Sequence, residues 1–298
     1  MLAFLLPRIH LASLFPRHQL STLAWLVGGL VVYAGAVMLS TVRWAQVVHA
    51  LELPADLAPL VSHTLAGMFV SNFLPSTVGG DVLRMSRLAA ANGQRHPSVA
   101  SVVVERLTGF FVLPFISLVA LAGNPTLLHL GRASRLALTM SLGSLAALAV
   151  IFVVVSKYRR AAHLDGRAWL GILPAMQLGL DRLRHDPGSA LGVLVSSLAY
   201  QLTIVVGAWM AGHALGIHVG WSAMMAFIPV VAVAQVLPIS VSGLGLREGA
   251  LVILLGPLGV ASGQAVALGL LLYGMNIVIS LFGAPAFAVG ARPARVVA

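Results

Sequence analysis

The stretch Pro187–Leu246, PGSALGVLVSSLAYQLTIVVGAWMAGHALGIHVGWSAMMAFIPVVAVAQVLPISVSGLGL, decides the fold class, because its 60 residues contain no Asp, Glu, Lys or Arg. About 20 apolar residues cross the hydrocarbon core of a bilayer as a helix, so the stretch is long enough for two passes. Backbone groups in lipid must find their hydrogen bonds within the segment, as they do in a helix. The stretch therefore predicts transmembrane helices.

The rest of the chain repeats this pattern. Five further runs are uncharged: Gln19–Val42, Leu57–Gly80, Leu107–Leu130, Leu136–Ser156 and Gly249–Ala291. Of the 298 residues, 59% are hydrophobic and 9% are charged, against about 25% charged in soluble domains. We predict an all-α, polytopic integral membrane bundle in one domain, residues 1–298. It would have about seven to eight transmembrane segments, with broken or re-entrant helices.

Charge predicts the orientation of the bundle. The net charge of +10 would indicate nucleic acid in a soluble protein, but here the basic residues lie between predicted spans, as the positive-inside rule requires. We therefore expect no nucleic-acid partner. The basic loops 76–97 and 157–187 are predicted to be cytoplasmic, together with the N-terminus. Loop 43–56 carries Arg43 against Glu52 and Asp56 and is predicted to lie outside.

The sequence contains no residue pattern that is typical of a metal or cofactor site. The chain has no cysteine, which excludes thiolate sites. Its ten histidines show no ligand spacing. We predict no metal, no cofactor and no catalytic residue.

An internal repeat is visible around two prolines. The segment 74–84, LPSTVGGDVLR, aligns without gaps to the segment 237–247, LPISVSGLGLR, with six identical residues. Each copy ends an apolar run at a proline, turns on glycine and begins a new segment that carries an arginine. Interrupted helices at matching positions are a pointer to transporter binding sites. We predict repeat-like halves at about 20–156 and 183–291, and a count of four passes between the copies makes them parallel.

The two turns have the chemistry of a phosphate site. A helix N-terminus presents free N–H groups and a partial positive charge, and glycine lets a ligand approach the backbone. Arg84 and Arg247 would add guanidinium groups suited to phosphate. The glycines concerned are Gly79, Gly80, Gly243 and Gly245. The alternative is that Asp81 caps a helix and that the arginines only hold the cytoplasmic face.

Three carboxylates lie beside or inside apolar segments: Asp81, Glu105 and Glu248. Each has a nearby arginine in the sequence. Adjacent helical residues point about 100° apart, so Glu105 and Arg106 must pair with other elements, and Arg84 and Asp81 are the natural candidates. The alternative is that Glu105 and Arg106 reach the membrane interface along their stems.

The amides of Asn72, Gln235 and Asn276 lie within or at the ends of the predicted spans. In membrane helices such groups usually hydrogen-bond neighbouring helices. The other interpretation is that they line a polar path through the bundle.

These motifs, taken in order, resemble the transmembrane region of lysylphosphatidylglycerol synthases and the related flippase-like proteins. The motifs are Asn72-Phe-Leu-Pro75, Gly79-Gly80-Asp81 with Arg84, Glu105-Arg106, and Pro238 with Ser242-Gly-Leu-Gly-Leu-Arg247-Glu248. The resemblance covers about 20 to 290. It implies a helical bundle in a bacterial cytoplasmic (inner) membrane and movement of a phospholipid or related amphiphile between leaflets. The synthases carry a separate soluble aminoacyl-transferase domain, which has no counterpart in these 298 residues.

We therefore predict a lipid translocase, not an enzyme, whose partner is a membrane phospholipid or a lipid-linked substrate. Two alternatives remain. The chain could be a membrane-embedded transferase whose carboxylates do acid–base work, or a helper subunit that binds an enzyme of lipid or lipid-linked glycan synthesis.

Overall fold

The computed structural model describes residues 20–73, 78–158, 172–236 and 243–288, and these residues form helices and connecting turns without a strand. The helices are α1 (Leu20–Ala50), α2 (Leu57–Ser71), α3 (Val78–Asn92), α4 (Arg95–Gly123), α5 (Arg132–Tyr158), α6 (Ile172–His185), α7 (Pro187–Ala214), α8 (Trp221–Ala234), α9 (Leu246–Leu255), α10 (Ser262–Leu281) and α11 (Gly283–Ala288). Two short 3₁₀ helices, Pro125–His129 and Gly256–Leu258, make turns. The predicted all-α membrane bundle is confirmed.

Five of the described helices are long and apolar enough to cross a membrane: α1, α4, α5, α7 and α10. The C-terminal part of α5 shows what surrounds them, since its consecutive residues Val150–Val154 are all exposed and apolar. In water such a surface would cause aggregation, whereas in a bilayer it contacts acyl chains. The five helices form the membrane-spanning frame of the protein.

Hydrogen bonds and ring contacts define two faces of this frame. On face A, Trp44 near the end of α1 donates to Ser101 near the start of α4 (3.1 Å). On face B, Asn124 after α4 donates to Ser222 at the start of α8 (2.9 Å). Trp25 near the start of α1 contacts Trp209 near the end of α7, with ring centroids 5.6 Å apart. Therefore α1 begins at face B and ends at face A, and α7 runs the opposite way.

Two loops that were predicted on opposite sides of the membrane lie on the same side in the structure. Glu52, just after α1, forms an ion pair with Arg182 of α6, with one N–O distance of 3.0 Å. Loop 43–56 and loop 157–187 were predicted on opposite sides, yet both reach face A. The start of α1 lies at face B, opposite α6, although the sequence predicted both on the cytoplasmic side. Which face is cytoplasmic stays a prediction.

Four of the described helices that are too short to cross the bilayer form two hairpins. Helices α2 and α3 have 15 residues each, α8 has 14 and α9 has 10. At about 1.5 Å per residue they extend about 15–23 Å, less than the hydrocarbon thickness of about 30 Å. We call α2 with α3 hairpin 1, and α8 with α9 hairpin 2. The predicted re-entrant helices are therefore present.

The hairpins enter from opposite faces. Hairpin 1 begins near Glu52 and ends at Asn92, next to the start of α4, so both of its outer ends are at face A. Helix α8 begins at face B. The end of α10 contacts hairpin 1 and leads into α11 at face A, so α10 begins at face B, and α9 returns to that face because a short turn at Gly256–Leu258 joins it to the start of α10. The count of four passes between the two repeated segments was wrong, because hairpin 1 and hairpin 2 each return to the face from which they enter the membrane. The starts of α3 and α9 consequently face each other from opposite sides.

Close backbone packing holds hairpin 1 together. A Cβ atom added to Gly67 of α2 would lie 2.9 Å from the carbonyl oxygen of Gly80 in α3. Real Cβ atoms do not approach an oxygen so closely, so both positions require glycine. Small residues of this kind let helices approach in a membrane, where packing and hydrogen bonds replace the hydrophobic effect as the driving force.

Candidate functional site

A polar cavity of about 280 Å³ lies where the two hairpins meet in the middle of the frame. Helices α1, α4, α7 and α10 complete its wall. The polar and charged side chains that line it are Tyr33, Ser40, Arg43, Thr64, Ser71, Asn72, Asp81, Arg84, Arg106, Tyr200, Gln235, Arg247 and Asn276. Four of these are arginines, so the cavity is suited to an anion.

Glu105 lies just outside the cavity lining and pairs with two of the arginines, Arg84 and Arg43. Its carboxylate accepts from Arg84 (3.0 Å) and from Arg43, and all three side chains are buried. Removing one member of a buried ion pair leaves an uncompensated charge and costs about 3–5 kcal/mol. Glu105 therefore fixes Arg84 of hairpin 1 to α1 and α4, two spans of the frame.

Asp81 joins Arg84 to Arg106 at the cavity wall. Arg106 makes a bidentate pair with it, with Nε and Nη2 distances of 2.9 and 2.7 Å, and Arg84 lies 3.4 Å away. Arg106 keeps 43% of its side chain exposed. The predicted pairing of Glu105 with Arg84 and of Arg106 with Asp81 is thus present in the structure.

Aromatic rings support three of the arginines. The guanidinium carbon of Arg84 lies 4.1 Å from the ring centroid of Trp44, and that of Arg43 lies 4.9 Å from the ring of Tyr200. The corresponding distance from Arg247 to Tyr273 is 5.6 Å. A ring face stabilises a cation by about 0.5–2 kcal/mol and still leaves its edge available for hydrogen bonds.

Arg247 approaches the cavity from hairpin 2. Its Nε and Nη2 both donate to the side-chain oxygen of Gln235, at 3.0 and 2.7 Å, and its Nη1 lies 3.4 Å from the carbonyl oxygen of Gly269. Gln235 lies where α8 ends and Arg247 lies in the first turn of α9. The contact therefore closes the inner end of hairpin 2.

Glu248 has a structural role at the start of α9. It is fully buried, and its carboxylate accepts from the backbone N–H of Gly245. Gly245 and Gly243 have φ angles of +83° and +79°, a region that glycine adopts far more readily than other residues. The glycines allow the chain to turn sharply into α9, and Glu248 caps that turn rather than lining the cavity.

A chain of amides connects hairpin 1 to α10 and α1. Asn276 donates to Asn72 (3.0 Å), and Asn72 donates to Ser280 (2.6 Å). The hydroxyl of Tyr33 donates to Asn276 (3.2 Å). Asn72 and Asn276 thus satisfy both sequence interpretations, because they hydrogen-bond between helices and also line the cavity.

The family of the chain can be assigned at this point. The family described as the lysylphosphatidylglycerol synthase TM region matches residues 1–283. The chain belongs to this family. No curated protein and no solved structure matched the chain. Together with the apolar helices, the match makes this member of the lysylphosphatidylglycerol synthase TM family a multi-pass membrane protein of lipid metabolism.

The residues through which the sequence resembled this family converge on one place. Nine of the predicted site residues line the cavity: Asn72, Gly80, Asp81, Arg84, Arg106, Gln235, Gly243, Arg247 and Asn276. Glu105 lies directly beneath it, and Gly245 and Glu248 form the turn into α9. Gly79 does not line the cavity. Pro75, Pro238 and Ser242 lie outside the described residues.

Arg43 is the cavity residue that the sequence analysis placed elsewhere. We expected it in an outside loop because the first uncharged run ends at Val42, yet α1 continues to Ala50 and buries Arg43 with 3% exposure. A signal was available, since no proline occurs between Gln19 and Leu53 and the last glycine before Ala50 is Gly35. Without a helix stop signal, the helix continues beyond the end of its uncharged run.

Proposed function

We propose that the protein translocates an anionic membrane lipid, with the headgroup phosphate passing through the arginine cavity. The observation that carries this proposal is the meeting of two half-membrane hairpins from opposite faces around one cavity that is lined by four arginines. Discontinuous helices of this kind form substrate sites near the bilayer midplane in secondary transporters.

The charge of the site supports a phosphate with one negative charge. Arg43, Arg84, Arg106 and Arg247 contribute four positive charges, and the carboxylates in contact with the cavity or its turns are Asp81, Glu105 and Glu248. One positive charge is therefore in excess, and a phosphodiester would neutralise it. Guanidinium groups also match phosphate oxygens geometrically.

Arg43 offers donors for such an anion. Its Nη2 binds Glu105, while its Nε and Nη1 are buried and donate to no other described residue. A buried donor without a partner costs about 1–3 kcal/mol, more when it is charged. A bound phosphate would relieve that cost for Arg43, so its free energy of binding would include this gain.

The hairpins give a route from both faces. In this proposal, movement of hairpin 1 opens the cavity toward face A and movement of hairpin 2 opens it toward face B. The acyl chains remain in lipid while the headgroup crosses. Asp81, Glu105 and Glu248 would balance the charge of the arginines, and Asp81, which lines the cavity, would also receive a cationic part of the headgroup or take up a proton.

The test is translocation in liposomes that contain the purified protein and an acyl-labelled phosphatidylglycerol, followed by chemical quenching of the outer-leaflet label. We expect Arg84→Ala and Arg247→Ala to slow translocation at least about tenfold, which corresponds to about 1.4 kcal/mol. Arg182→Ala, at an exposed ion pair on face A outside the cavity, is the matched control and should keep the wild-type rate.

Two outcomes separate this proposal from its alternatives. Wild-type rates in both cavity variants would show that the arginines are not the site. Consumption of a donor by the same purified protein, with a new lipid product in mass spectrometry, would support the transferase alternative. Location in a bacterial inner membrane and contact with a lipid-synthesis enzyme remain proposals, which fractionation and affinity purification from the native membrane can test.

A further inference from the structure

A second cavity of about 760 Å³ opens at face A, behind hairpin 1. It lies between α2, α3, α11 and the segment that precedes α2. Its walls are mostly apolar and include Pro54, Pro59, Leu60, Leu88 and Pro285. The arginine cavity and this second cavity share no lining residue, so the function proposed above does not explain it.

Two side chains that line this cavity each have a polar atom without a hydrogen-bond partner in the described part of the chain. His63 is 9% exposed, and its Nδ1 makes no hydrogen bond to any described residue. The amide nitrogen of Asn92 is likewise buried and unpartnered. Buried polar groups are nearly always hydrogen-bonded in proteins. Two such atoms on residues that line one cavity therefore indicate a ligand that supplies the missing hydrogen-bond partners.

The lining also defines the charge of that ligand. Among the described residues, no arginine or lysine lines the cavity, and the charged group at its mouth is the carboxylate of Asp56. A phosphate would find no cationic side chain in the described lining, because the guanidinium of Arg87 behind the wall donates to the carbonyl oxygens of Ala286 and Phe287, and it would be repelled by Asp56. A hydroxyl group can accept from the Asn92 amide and can donate to, or accept from, the imidazole of His63.

The position of the cavity restricts the rest of the ligand. Arg87 of α3 donates to the carbonyl oxygens of Ala286 and Phe287 (2.9 and 3.1 Å), which holds α11 against hairpin 1 as the cavity wall. The cavity thus lies among helices at one face of the frame, where the polar ends of lipids meet the protein. Its apolar walls suit acyl chains rather than a sugar.

We propose that this cavity binds an uncharged, hydroxyl-bearing lipid of the diacylglycerol type, with the hydroxyl at His63 and Asn92. The two cavities lie back to back on hairpin 1, because His63 lines one and the next residue, Thr64, lines the other. The ligand class differs from that of the arginine cavity, so the protein discriminates lipids by headgroup charge at two separate sites.

The experiment uses the full chain in phosphatidylcholine nanodiscs that contain a diacylglycerol with a photoactivatable diazirine on an acyl chain. After irradiation, mass spectrometry of peptides should find the label concentrated on α2, α3 and α11. Unlabelled diacylglycerol should compete, whereas phosphatidylglycerol and phosphatidylethanolamine at equal amounts should not. His63→Leu combined with Asn92→Leu should lower labelling about tenfold, the loss expected for one or two hydrogen bonds.

The control is His129→Leu, an exposed histidine on the 3₁₀ turn at face B, which should leave labelling unchanged. Circular dichroism and size-exclusion profiles check the fold of each variant. If the double variant fails to fold, Asn92→Leu alone, at the half-buried end of α3, should still reduce labelling about threefold. Label spread evenly over the lipid-facing helices, equal displacement by phosphatidylglycerol, or unchanged labelling in the folded variants would each overturn the proposal.

Discussion

Hairpins 1 and 2 present the same kind of residue to one cavity but hold it differently. In hairpin 1, Arg84 contacts two carboxylates, Glu105 of α4 and Asp81 of its own helix. In hairpin 2, Arg247 donates to the amide oxygen of Gln235 and approaches a backbone carbonyl. Hairpin 1 is thus tied to the frame by buried ion pairs, whereas Arg247 contacts neutral groups: Gln235 in its own hairpin, and the carbonyl oxygen of Gly269 and the ring of Tyr273 in α10.

This difference indicates which of the two hairpins is held more rigidly. Breaking a buried ion pair costs several kcal/mol, whereas a hydrogen bond from a charged group to a neutral acceptor contributes about 1.5–3 kcal/mol. The ion pairs of Arg43, Glu105 and Arg84 therefore hold hairpin 1 more strongly than Gln235 holds the start of α9, so movement of hairpin 1 requires the larger free energy. We infer that hairpin 2 moves more easily, and the three predictions below test this contrast.

The largest expected effect is that of Glu105→Gln. The substitution keeps the shape of the side chain but leaves Arg43 and Arg84 buried without their shared carboxylate. We expect a loss of about 3–5 kcal/mol in the free energy of unfolding, measured by denaturant titration in a mild detergent.

Glu52→Gln is the matched control for this prediction. Glu52 is paired with Arg182, but both side chains are largely exposed, at 69% and 43%. Exposed ion pairs contribute about 0–1 kcal/mol. Equal destabilisation by the two substitutions would show that Glu105 is not a buried anchor.

Gln235→Leu should have an intermediate effect. It removes the acceptor for two donors of Arg247 and should lower the free energy of unfolding by about 1–3 kcal/mol. Hydrogen exchange should also speed up at the start of α9, because the inner end of hairpin 2 loses its side-chain contact. Unchanged exchange in α9, or a loss as large as that of Glu105→Gln, would contradict the contrast between the hairpins.

Tyr273→Leu should have the smallest effect of the three. Its ring lies 5.6 Å from the guanidinium carbon of Arg247, and such a contact contributes about 0.5–1 kcal/mol where water reaches it. Tyr273→Phe keeps the ring and should behave like the wild type. An equal loss in the Phe and Leu variants would show that the hydroxyl, not the ring, supports Arg247.

Much of the site could be predicted because its residues are chemically unusual in this sequence. Asp81, Glu105 and Glu248 are the carboxylates next to long apolar runs, so each needs a partner that the nearby sequence supplies. The pairs of Glu105 with Arg84 and of Asp81 with Arg106 were predicted for this reason. Glu248 was expected at the ligand, but it caps α9, since sequence spacing does not distinguish a cap from a cavity wall.

Other features could not be predicted in this way. An apolar segment of 15 residues has the same composition whether it continues across the membrane or turns back, so hairpins and spans were confused in the count of passes. Arg43 was placed in a loop because charge was taken to mark the end of a span. The structure buries it, since Glu105 of α4 compensates its charge.

The sequence by itself determined that this chain is a helical membrane protein with paired turns of glycine and arginine, because uncharged runs of this length have no other stable environment than lipid. Only the tertiary structure decided that the starts of α3 and α9 meet from opposite faces around one cavity. The physical reason is that helix direction and ion pairing between distant segments depend on which helices pack together, and local composition carries no information about that choice.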